Sequence, residues 1–217
     1  MPVLNEAATL RQSLATLAPL RAAGHRLIVV DGGSHDDTLA QCHGQVDALL
    51  TAPRGRARQM NAGAATADGD VLLFLHADTT LPDHADACVT QALAQGAQWG
   101  RFDVRISGKS PMLKVISRMM NWRSRVTGIA TGDQAMFVRR ALFEQIGGFP
   151  DQPLMEDIAL SRRLLKHGPP ACLREVVRTS GRRWESRGVW RTIWLMWRLR
   201  WRYWRGASPE VLARAYR

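Results

Sequence analysis

Two short apolar runs, each followed at once by a polar turn, constrain the fold more than any other feature of this sequence. Leu27–Val30 leads into Asp31-Gly32-Gly33-Ser34, and Val71–Leu75 leads into His76-Ala77-Asp78. Continuous apolar strands that alternate with helical patterns are typical of a parallel sheet covered on both faces. The sequence therefore predicts an α/β fold with a mostly parallel sheet and helices on both faces. Ligands bind at the carboxyl ends of such strands, so both strand-ending aspartates should line one crevice.

Helical spacing of apolar residues predicts helices over about 4–20 and 83–95. The stretch Gly108–Gly128 is rich in Met and Arg and also has a helical pattern, so we interpret it as an insertion near the site. Only Met1–Val3 precede the loop that begins near Asn5. We therefore expect the first parallel strand to be cut short, by a late start or a truncation, with further β-branched residues upstream in the reading frame.

Length and composition indicate one globular domain with an appendage. The chain has 217 residues, of which 46% are hydrophobic and 23% charged, close to average proportions. We predict a domain at 1–178 and a basic helical appendage at 179–217. The three cysteines, Cys42, Cys88 and Cys172, match no metal spacing and predict reduced thiols in a cytoplasmic protein. No apolar run approaches the roughly 18 residues of a membrane span, and the acidic Glu6 argues against a signal peptide.

The net charge of +11 is concentrated near the end of the chain. Nine arginines and one acidic residue lie between Arg178 and Arg205, which accounts for +8 of that total. The basicity is therefore local, and because no nucleic-acid-binding fold motif is present we predict no nucleic-acid partner.

Several short motifs carry residues suited to nucleotide chemistry, and each has a plain alternative. Asp31 could be a turn former, or could meet a ligand that the following glycines let approach. The loop Arg54–Gly63 could be a solvated face, or could hold a diphosphate. His76-Ala77-Asp78 offers a carboxylate for a divalent cation bound to a nucleotide. Glu156-Asp157 could be helix-dipole partners, or could supply a general base.

Taken in order, these motifs resemble those of the inverting glycosyltransferases of family two, which have the GT-A nucleotide-binding fold. The resemblance covers about residues 1–178. The closest likeness is to a subgroup of small transferase-like proteins named for association with radical-SAM and selenodomain proteins. The motifs that carry it are Pro2–Glu6, Val30–Thr38, Arg58–Gly63, Leu75–Asp78, Gly147–Phe149 and Glu156-Asp157.

The resemblance implies transfer of one sugar from a nucleotide-sugar, by family habit a UDP-sugar, to a hydroxyl acceptor with inversion. It implies that Asp157, beside Glu156, is the catalytic base, that Asp78 holds Mn²⁺ or Mg²⁺ on the diphosphate, and that Asp31 accepts a hydrogen bond from the base. The nucleotide pocket it implies consists of Pro2, Asn5, Glu6, Asp31, Gly33, Arg58, Asn61, His76 and Ala77.

Two departures from the family pattern shape the prediction. His76 stands where the family has the first aspartate of Asp-x-Asp, and Ser180–Trp184 replaces the Gln-x-x-Arg-Trp of processive enzymes, so we predict single-sugar transfer. A sugar nucleotidyltransferase would need a glycine-rich triphosphate loop after the first strand, which the chain lacks; a module that binds but no longer turns over is the other alternative. Candidate diphosphate or acceptor contacts are Asp133, Gln134, Arg182, Arg183 and Trp184.

Six of the eight tryptophans lie between Trp184 and Trp204. Five of them are spaced 4, 3, 4 and 3 residues apart, so they share a helix face about 80° wide beside a stripe of arginines. Three interpretations stay open: packing against the domain, contact with an anionic membrane, and stacking on nucleic acid. The membrane interpretation favours a lipid-linked acceptor and a place on the inner face of the plasma membrane. The five residues are Trp190, Trp194, Trp197, Trp201 and Trp204.

Overall fold

A computed structural model describes residues 1–216 and confirms the predicted α/β fold. Its strands are β1 (Pro2–Val3), β2 (Ile28–Asp31), β3 (Ala48–Thr51), β4 (Val71–Phe74), β5 (Thr79–Thr80), β6 (Trp99–Ser107), β7 (Met136–Arg139) and β8 (Ala171–Ser180). Its α-helices are α1 (Ala7–Ala22), α2 (Thr38–Cys42), α3 (Arg56–Ala65), α4 (Ala85–Ala94), α5 (Met112–Thr127), α6 (Arg140–Gln145), α7 (Glu156–Leu164), α8 (Arg182–Arg187), α9 (Val189–Trp204) and α10 (Pro209–Tyr216). Two 3₁₀ helices lie at Gly132–Gln134 and Leu165–His167.

The amino-terminal sheet is parallel throughout, in the order β1-β2-β3. Val3 pairs with Asp31, and Asp31 pairs with Thr51, so the carboxyl ends of the three strands are level. The loops that follow β1 and β2 therefore meet: the backbone N–H of Asn5 donates to Ser34 Oγ at 2.8 Å. That Asp31 and Asp78 line one crevice stays a prediction.

The second sheet has five strands in the order β4-β7-β6-β8-β5. β6 and β8 run parallel, whereas β7 is antiparallel to β4 and β6, and β5 is antiparallel to β8. The predicted helices at 4–20, 83–95 and Gly108–Gly128 correspond to α1, α4 and α5. The boundary drawn after residue 178 falls within β8, because that strand continues to Ser180, which pairs with Ser107.

The core is continuous from the sheets into the carboxyl-terminal helices. Three rings, Phe74, Phe143 and Phe149, contact one another with centroids 4.8–5.7 Å apart beside β4. Further along, Leu199 of α9 and Leu212 of α10 are buried against α7. The appendage therefore packs on the helix that begins with Glu156 and Asp157.

The tryptophan stripe of α9 is not part of this packing. The helix packs through Leu195, Met196 and Leu199, on the face opposite the stripe. All five tryptophans of the stripe are 58–71% exposed. The packing interpretation of the stripe is therefore wrong. No helix within residues 1–216 has the length and apolar character needed to cross a bilayer.

A cavity of about 620 Å³ lies between β2 and β4. Its walls are mostly apolar and include Ile28, Val30 and Leu73. The amino group of Met1 is buried beside it and donates to the Ile28 carbonyl at 2.8 Å, and this burial lowers its pKa to about 5. Neither Asp78 nor Asp157 is among the described residues of the lining, so the cavity is separate from the predicted chemistry.

Gly100 is a point where three strands leave no space. A methyl group there would clash with both the Ala171 carbonyl oxygen and the Phe137 ring. We expect Gly100→Ala to lower the free energy of unfolding by about 1–3 kcal/mol, as overpacking does. Urea unfolding would measure it, with Gly69→Ala as the matched control because its nearest neighbour would be 3.8 Å away. Equal stability of the two variants would contradict the prediction.

Candidate active site

The loop after β2 is built around Asp31, which is 1% exposed. Its carboxylate accepts hydrogen bonds from the backbone N–H groups of Gly33 and Ser34 at 2.8 and 2.9 Å, and from Ser34 Oγ at 2.5 Å. Gly33 has φ +92°, a conformation that favours glycine. Three of about four acceptor positions of the carboxylate are thus used by its own turn. Asp31 is a turn former here, and its contact with a nucleotide base stays a prediction.

The loop after β1 meets the carboxyl-terminal segment. Glu6 Oε2 accepts hydrogen bonds from Thr9 Oγ1 at 3.2 Å and from Arg182 Nη2 at 3.1 Å. Arg182 opens α8, so the structure brings two predicted site residues together although 176 positions separate them. Pro2 lies in β1 and pairs with Val30. Asn5 Oδ1 accepts the His35 N–H at 2.9 Å. Trp184, also in α8, is partly buried.

The segment after β4 turns its polar groups in two directions. His76 is 9% exposed, and its Nδ1 lies 3.3 Å from Asp133 Oδ1. Ala77 is buried, and its carbonyl accepts Ser13 Oγ at 2.6 Å. Asp78 is partly exposed, and its carboxylate has one contact within the described chain, from Thr79 Oγ1 at 3.5 Å. Asp78 is therefore available to a ligand, whereas Ala77 supports the fold.

Asp157 and Glu156 lie in the first turn of α7, after Met155 in the left-handed region with φ +65°. Asp157 Oδ2 accepts the backbone N–H of Gly132 at 3.0 Å, and Oδ1 accepts the N–H of Ile158 at 2.7 Å. The first of these bonds holds the loop with Asp133 against α7. Glu156 is 6% exposed and Asp157 more so, which leaves Asp157 as the carboxylate that a substrate can reach.

The three carboxyl groups of this cluster have different acidities. Burial raises the pKa of Asp157, and the charge of Asp133 adds to the effect, against the two N–H bonds that lower it. Burial also raises the pKa of Glu156, helped by the charge of Asp157. At Asp133 burial raises the pKa, but the hydrogen bond and charge of His76 lower it more. Asp133 therefore ionises first, and Asp157 and Glu156 are both more basic than Asp133.

Two arginines and a tyrosine complete the cluster. Burial among protein groups lowers the pKa of Arg56, but Glu156, Tyr216 and Asp133 outweigh it and the pKa is raised. Arg56 is nevertheless more than a third exposed. The Arg183 guanidinium lies 3.7 Å from the centre of the Tyr216 ring, and burial raises the pKa of that phenol.

Three residues predicted to contact a ligand make contacts within the protein, and their ligand contacts stay predictions. Arg58 pairs on the surface with Asp151 at 2.7 Å, because residues 56 and 58 point about 200° apart on α3. The Asn61 amide donates to the carbonyl of Phe149 and accepts its N–H, so it ties down a loop. Gln134 is fully buried in a capping box with Thr131.

The sequence did not single out Arg56, although Arg56 lies in the loop Arg54–Gly63 that was a candidate diphosphate site. Nothing in the sequence pointed to Tyr216 or to Arg123, whose Nε and Nη2 atoms are buried without a hydrogen-bond partner in the described chain. Burial lowers the pKa of Arg123, while the charge of Asp157 raises it. Arg123 therefore belongs to the electrostatic surroundings of the acidic cluster.

The donor set fits a cation that a nucleotide helps to hold. No group of three or more His, Cys, Asp or Glu side chains within residues 1–216 could form a metal cage. Magnesium and manganese on a nucleotide need only one or two carboxylates, since phosphates and water supply the other ligands. Asp78, an accessible carboxylate at a strand end, meets that requirement.

The family model of Glycosyl transferase family 2 matches residues 1–147. The chain belongs to this family. Among curated proteins, this family 2 chain is 28% identical to the probable glycosyltransferase YdaM of Bacillus subtilis strain 168, over 98% of the chain and 55% of that protein. The chain spans about half the length of the curated relatives it matches.

Solved structures show the same fold. A mannosyltransferase from Pyrobaculum calidifontis, in complex with GDP-Man and Mn²⁺, is 21% identical with a TM-score of 0.62, over 99% of this chain and 67% of that one. Glucosyl-3-phosphoglycerate synthase from Mycobacterium tuberculosis, with Mn²⁺ and UDP-glucose, is 18% identical with a TM-score of 0.58, over 82% of this chain and 67% of that one. These similarities confirm the GT-A fold. The radical-SAM- and selenodomain-associated subgroup gains no support from them.

The buried Glu156 predicts a pH-dependent stability. A carboxyl whose pKa is raised by folding contributes stability below its usual value of 4.5, and this is lost as the pH rises through the raised value. We therefore expect Glu156→Gln to unfold at a higher temperature than the wild type at about pH 8, by about 2–4 °C if the relief is ~1 kcal/mol.

Thermal unfolding of both proteins at several pH values would measure the difference, which should shrink toward about pH 4.5. Glu144→Gln, at an exposed carboxylate paired with Arg140, is the matched control. A gain from Glu156→Gln that is the same at every pH would show that the ionised carboxylate is not the cause.

Proposed function

We propose that this family 2 chain is an inverting glycosyltransferase that moves one sugar from a nucleotide-sugar to a hydroxyl acceptor, with Asp157 as the general base. The observation that carries the proposal is the state of Asp157, an accessible carboxylate whose pKa burial raises. A general base works best when its pKa approaches the working pH. Glu156, the other candidate, is buried, and the charge of Asp157 helps to raise its pKa.

The reaction is a single displacement. The acceptor hydroxyl gives its proton to the Asp157 carboxylate while its oxygen forms a bond to the anomeric carbon. The bond between that carbon and the diphosphate oxygen breaks, and the nucleoside diphosphate leaves with the electron pair. Attack from the face opposite the leaving group inverts the configuration. The N–H groups of Gly132 and Ile158 hold the carboxylate in place for this step.

In this proposal the donor is held by groups of α3, α8 and the segment after β4. Arg56 and Arg183 offer guanidinium groups to the diphosphate, and Asp78 would bind a divalent cation, Mn²⁺ or Mg²⁺. Such a cation would offset charge on the leaving diphosphate. The Mn²⁺ in the mannosyltransferase and synthase structures supports this assignment. Those two proteins are solved with different nucleotide-sugars, so UDP as the nucleotide rests on the resemblance of the motifs.

The acceptor side faces the carboxyl-terminal helices, and we propose a lipid-linked acceptor. The five exposed tryptophans of α9 would lie at headgroup depth in an anionic membrane, at the cytoplasmic face. Two arginines stand over the rings: Arg198 is 5.2 Å from the centre of Trp194, and Arg205 is 5.2 Å from that of Trp201. This pairing of indole and guanidinium suits a surface where apolar chains meet phosphate headgroups.

Replacing the base tests the catalytic assignment. We expect Asp157→Asn to lower the rate of transfer, or of donor hydrolysis with water as acceptor, by about 10²–10⁴-fold, because the amide cannot take the proton. Donor affinity should change by less than about threefold, since the proton moves only in the transition state. Retained turnover would remove Asp157 from its role. Absence of turnover in the wild type with every donor would favour a module that binds without catalysis.

Donor binding tests whether Arg56 rather than Arg58 contacts the diphosphate. We expect Arg56→Gln to weaken binding of the preferred nucleotide-sugar by about 10–100-fold, the worth of a charge-assisted hydrogen bond. Arg58→Gln is the matched control and should stay within about twofold, because its partner is Asp151. Calorimetry with UDP-, GDP- and dTDP-sugars would measure both. Manganese should tighten binding compared with EDTA, and Asp78→Ala should abolish that difference. If Arg58→Gln weakens donor binding more than Arg56→Gln does, Arg58 is the arginine that contacts the donor.

A further inference from the structure

Helix α5 presents an apolar stripe to solvent. Its four members recur at intervals of 4, 3 and 4 residues, which places them within about 60° of one helix face. Each is 48–65% exposed, so the domain leaves the stripe uncovered. The stripe of α5 consists of Val115, Met119, Trp122 and Val126.

The opposite face of α5 is buried and carries hydrogen-bonding side chains beside the apolar Leu113 and Met120. Ser117 Oγ accepts the N–H of Ile106 at 2.9 Å, and the Asn121 side chain accepts the N–H of Val104 at 2.9 Å. Asn121 also donates to the Val104 carbonyl at 3.1 Å. The helix thus satisfies an edge of β6 that β7 leaves unpaired beyond Gly100. The contact of α5 with β6 therefore uses hydrogen-bonding side chains and does not involve the apolar stripe.

Cations flank the apolar stripe. Lys114, Arg118 and Arg125 are exposed and lie along one side of it, at about 260–300° when Val115 is taken as zero. Arg125 also pairs with Asp103 at 2.8 Å. A stripe with aromatic and aliphatic members beside a row of cations has the chemistry of α9, where arginines run beside the tryptophans.

We propose that the stripe of α5 is a second membrane-contact surface, and that α5 and α9 together hold this chain on an anionic lipid bilayer. Nine of the eleven large apolar side chains that the described chain exposes lie on these two helices. The row of cations selects the occupant, because anionic headgroups complement it where an uncharged or basic protein surface would not. The inference goes beyond the tryptophan stripe, since α5 lies in the family 2 domain itself.

The placement of α5 links this surface to the site, an argument that rests on the proposed function. The helix ends at Thr127, and the chain continues through Ile129 to the loop that carries Asp133. Ile129 packs in the same cluster as Leu195 and Met196 of α9. The loop between the two surfaces is therefore the one whose Gly132 N–H contacts Asp157. A lipid-linked hydroxyl would meet the base beside the bilayer that carries it.

Vesicle flotation tests the proposal with the full chain. The probes are vesicles of phosphatidylcholine alone and of phosphatidylcholine with phosphatidylglycerol, at low and high salt. We expect the α5 double variant, Met119→Gln with Trp122→Gln, to lower the affinity for the anionic vesicles by about tenfold or more. The two substitutions remove apolar side chains from the proposed contact with lipid. Trp197→Gln with Trp201→Gln should have a comparable effect. Val176→Gln with Val211→Gln, two exposed apolar positions on other elements, is the matched control and should bind as the wild type does.

Three results would overturn the proposal. If the variant with Met119→Gln and Trp122→Gln binds vesicles as the wild type does, the tryptophan stripe of α9 is the whole contact surface. Equal binding to both kinds of vesicle would remove the argument from charge. If the wild type self-associates without vesicles and the variant with Met119→Gln and Trp122→Gln does not, a second copy of the chain covers the stripe of α5. Donor hydrolysis in vesicle-free buffer, which should stay within about twofold of wild type in the α5 double variant, keeps a failure of this proposal distinct from a failure of the proposed function.

Discussion

The hydrogen bond from the Gly132 N–H to Asp157 is the contact on which the rest of the site depends. It fixes the carboxylate on one side and the loop with Asp133 on the other. A second tie strengthens it, because Ser161 of α7 accepts the N–H of Ala130 and donates to its carbonyl. The loop cannot move without uncovering α7, so the distance between the two carboxylates is set by backbone contacts. Their unequal acidities follow from that fixed placement.

Much of the fold could be predicted from the sequence, because its signals are local. The run Leu27–Val30 with the turn at Asp31 forms a buried strand and a tight loop, whatever lies around it. The acidic pair Glu156-Asp157 begins a helix, as charges at a helix start predict. The same local reasoning could not predict the mixed second sheet. Its central strands, β6 and β8, pair across about 70 positions, and no local pattern records such a pairing.

The fold places chemically similar candidate residues of the site in different surroundings, for a physical reason. Residue type indicates what a side chain can do, whereas its direction depends on the helix that carries it. Arg56 and Arg58 are chemically the same, yet α3 turns one toward the acidic cluster and the other toward Asp151. Gln134 shares a motif with Asp133, but a capping box buries it. Tyr216 lies so far along the chain that only the packing of α10 brings it to the site.

The amphipathic helices show the same limit from another side. Periodicity finds a stripe but does not say which face is buried. For α9 the two faces are both apolar, and Leu199 rather than the tryptophans enters the core because it fits beside Met155 and Ile158. For α5 the unpaired edge of β6 requires hydrogen-bonding side chains, which forces the apolar stripe outward. An apolar face that the fold turns to solvent marks an interaction surface, and the charges beside it indicate the kind of partner that we propose.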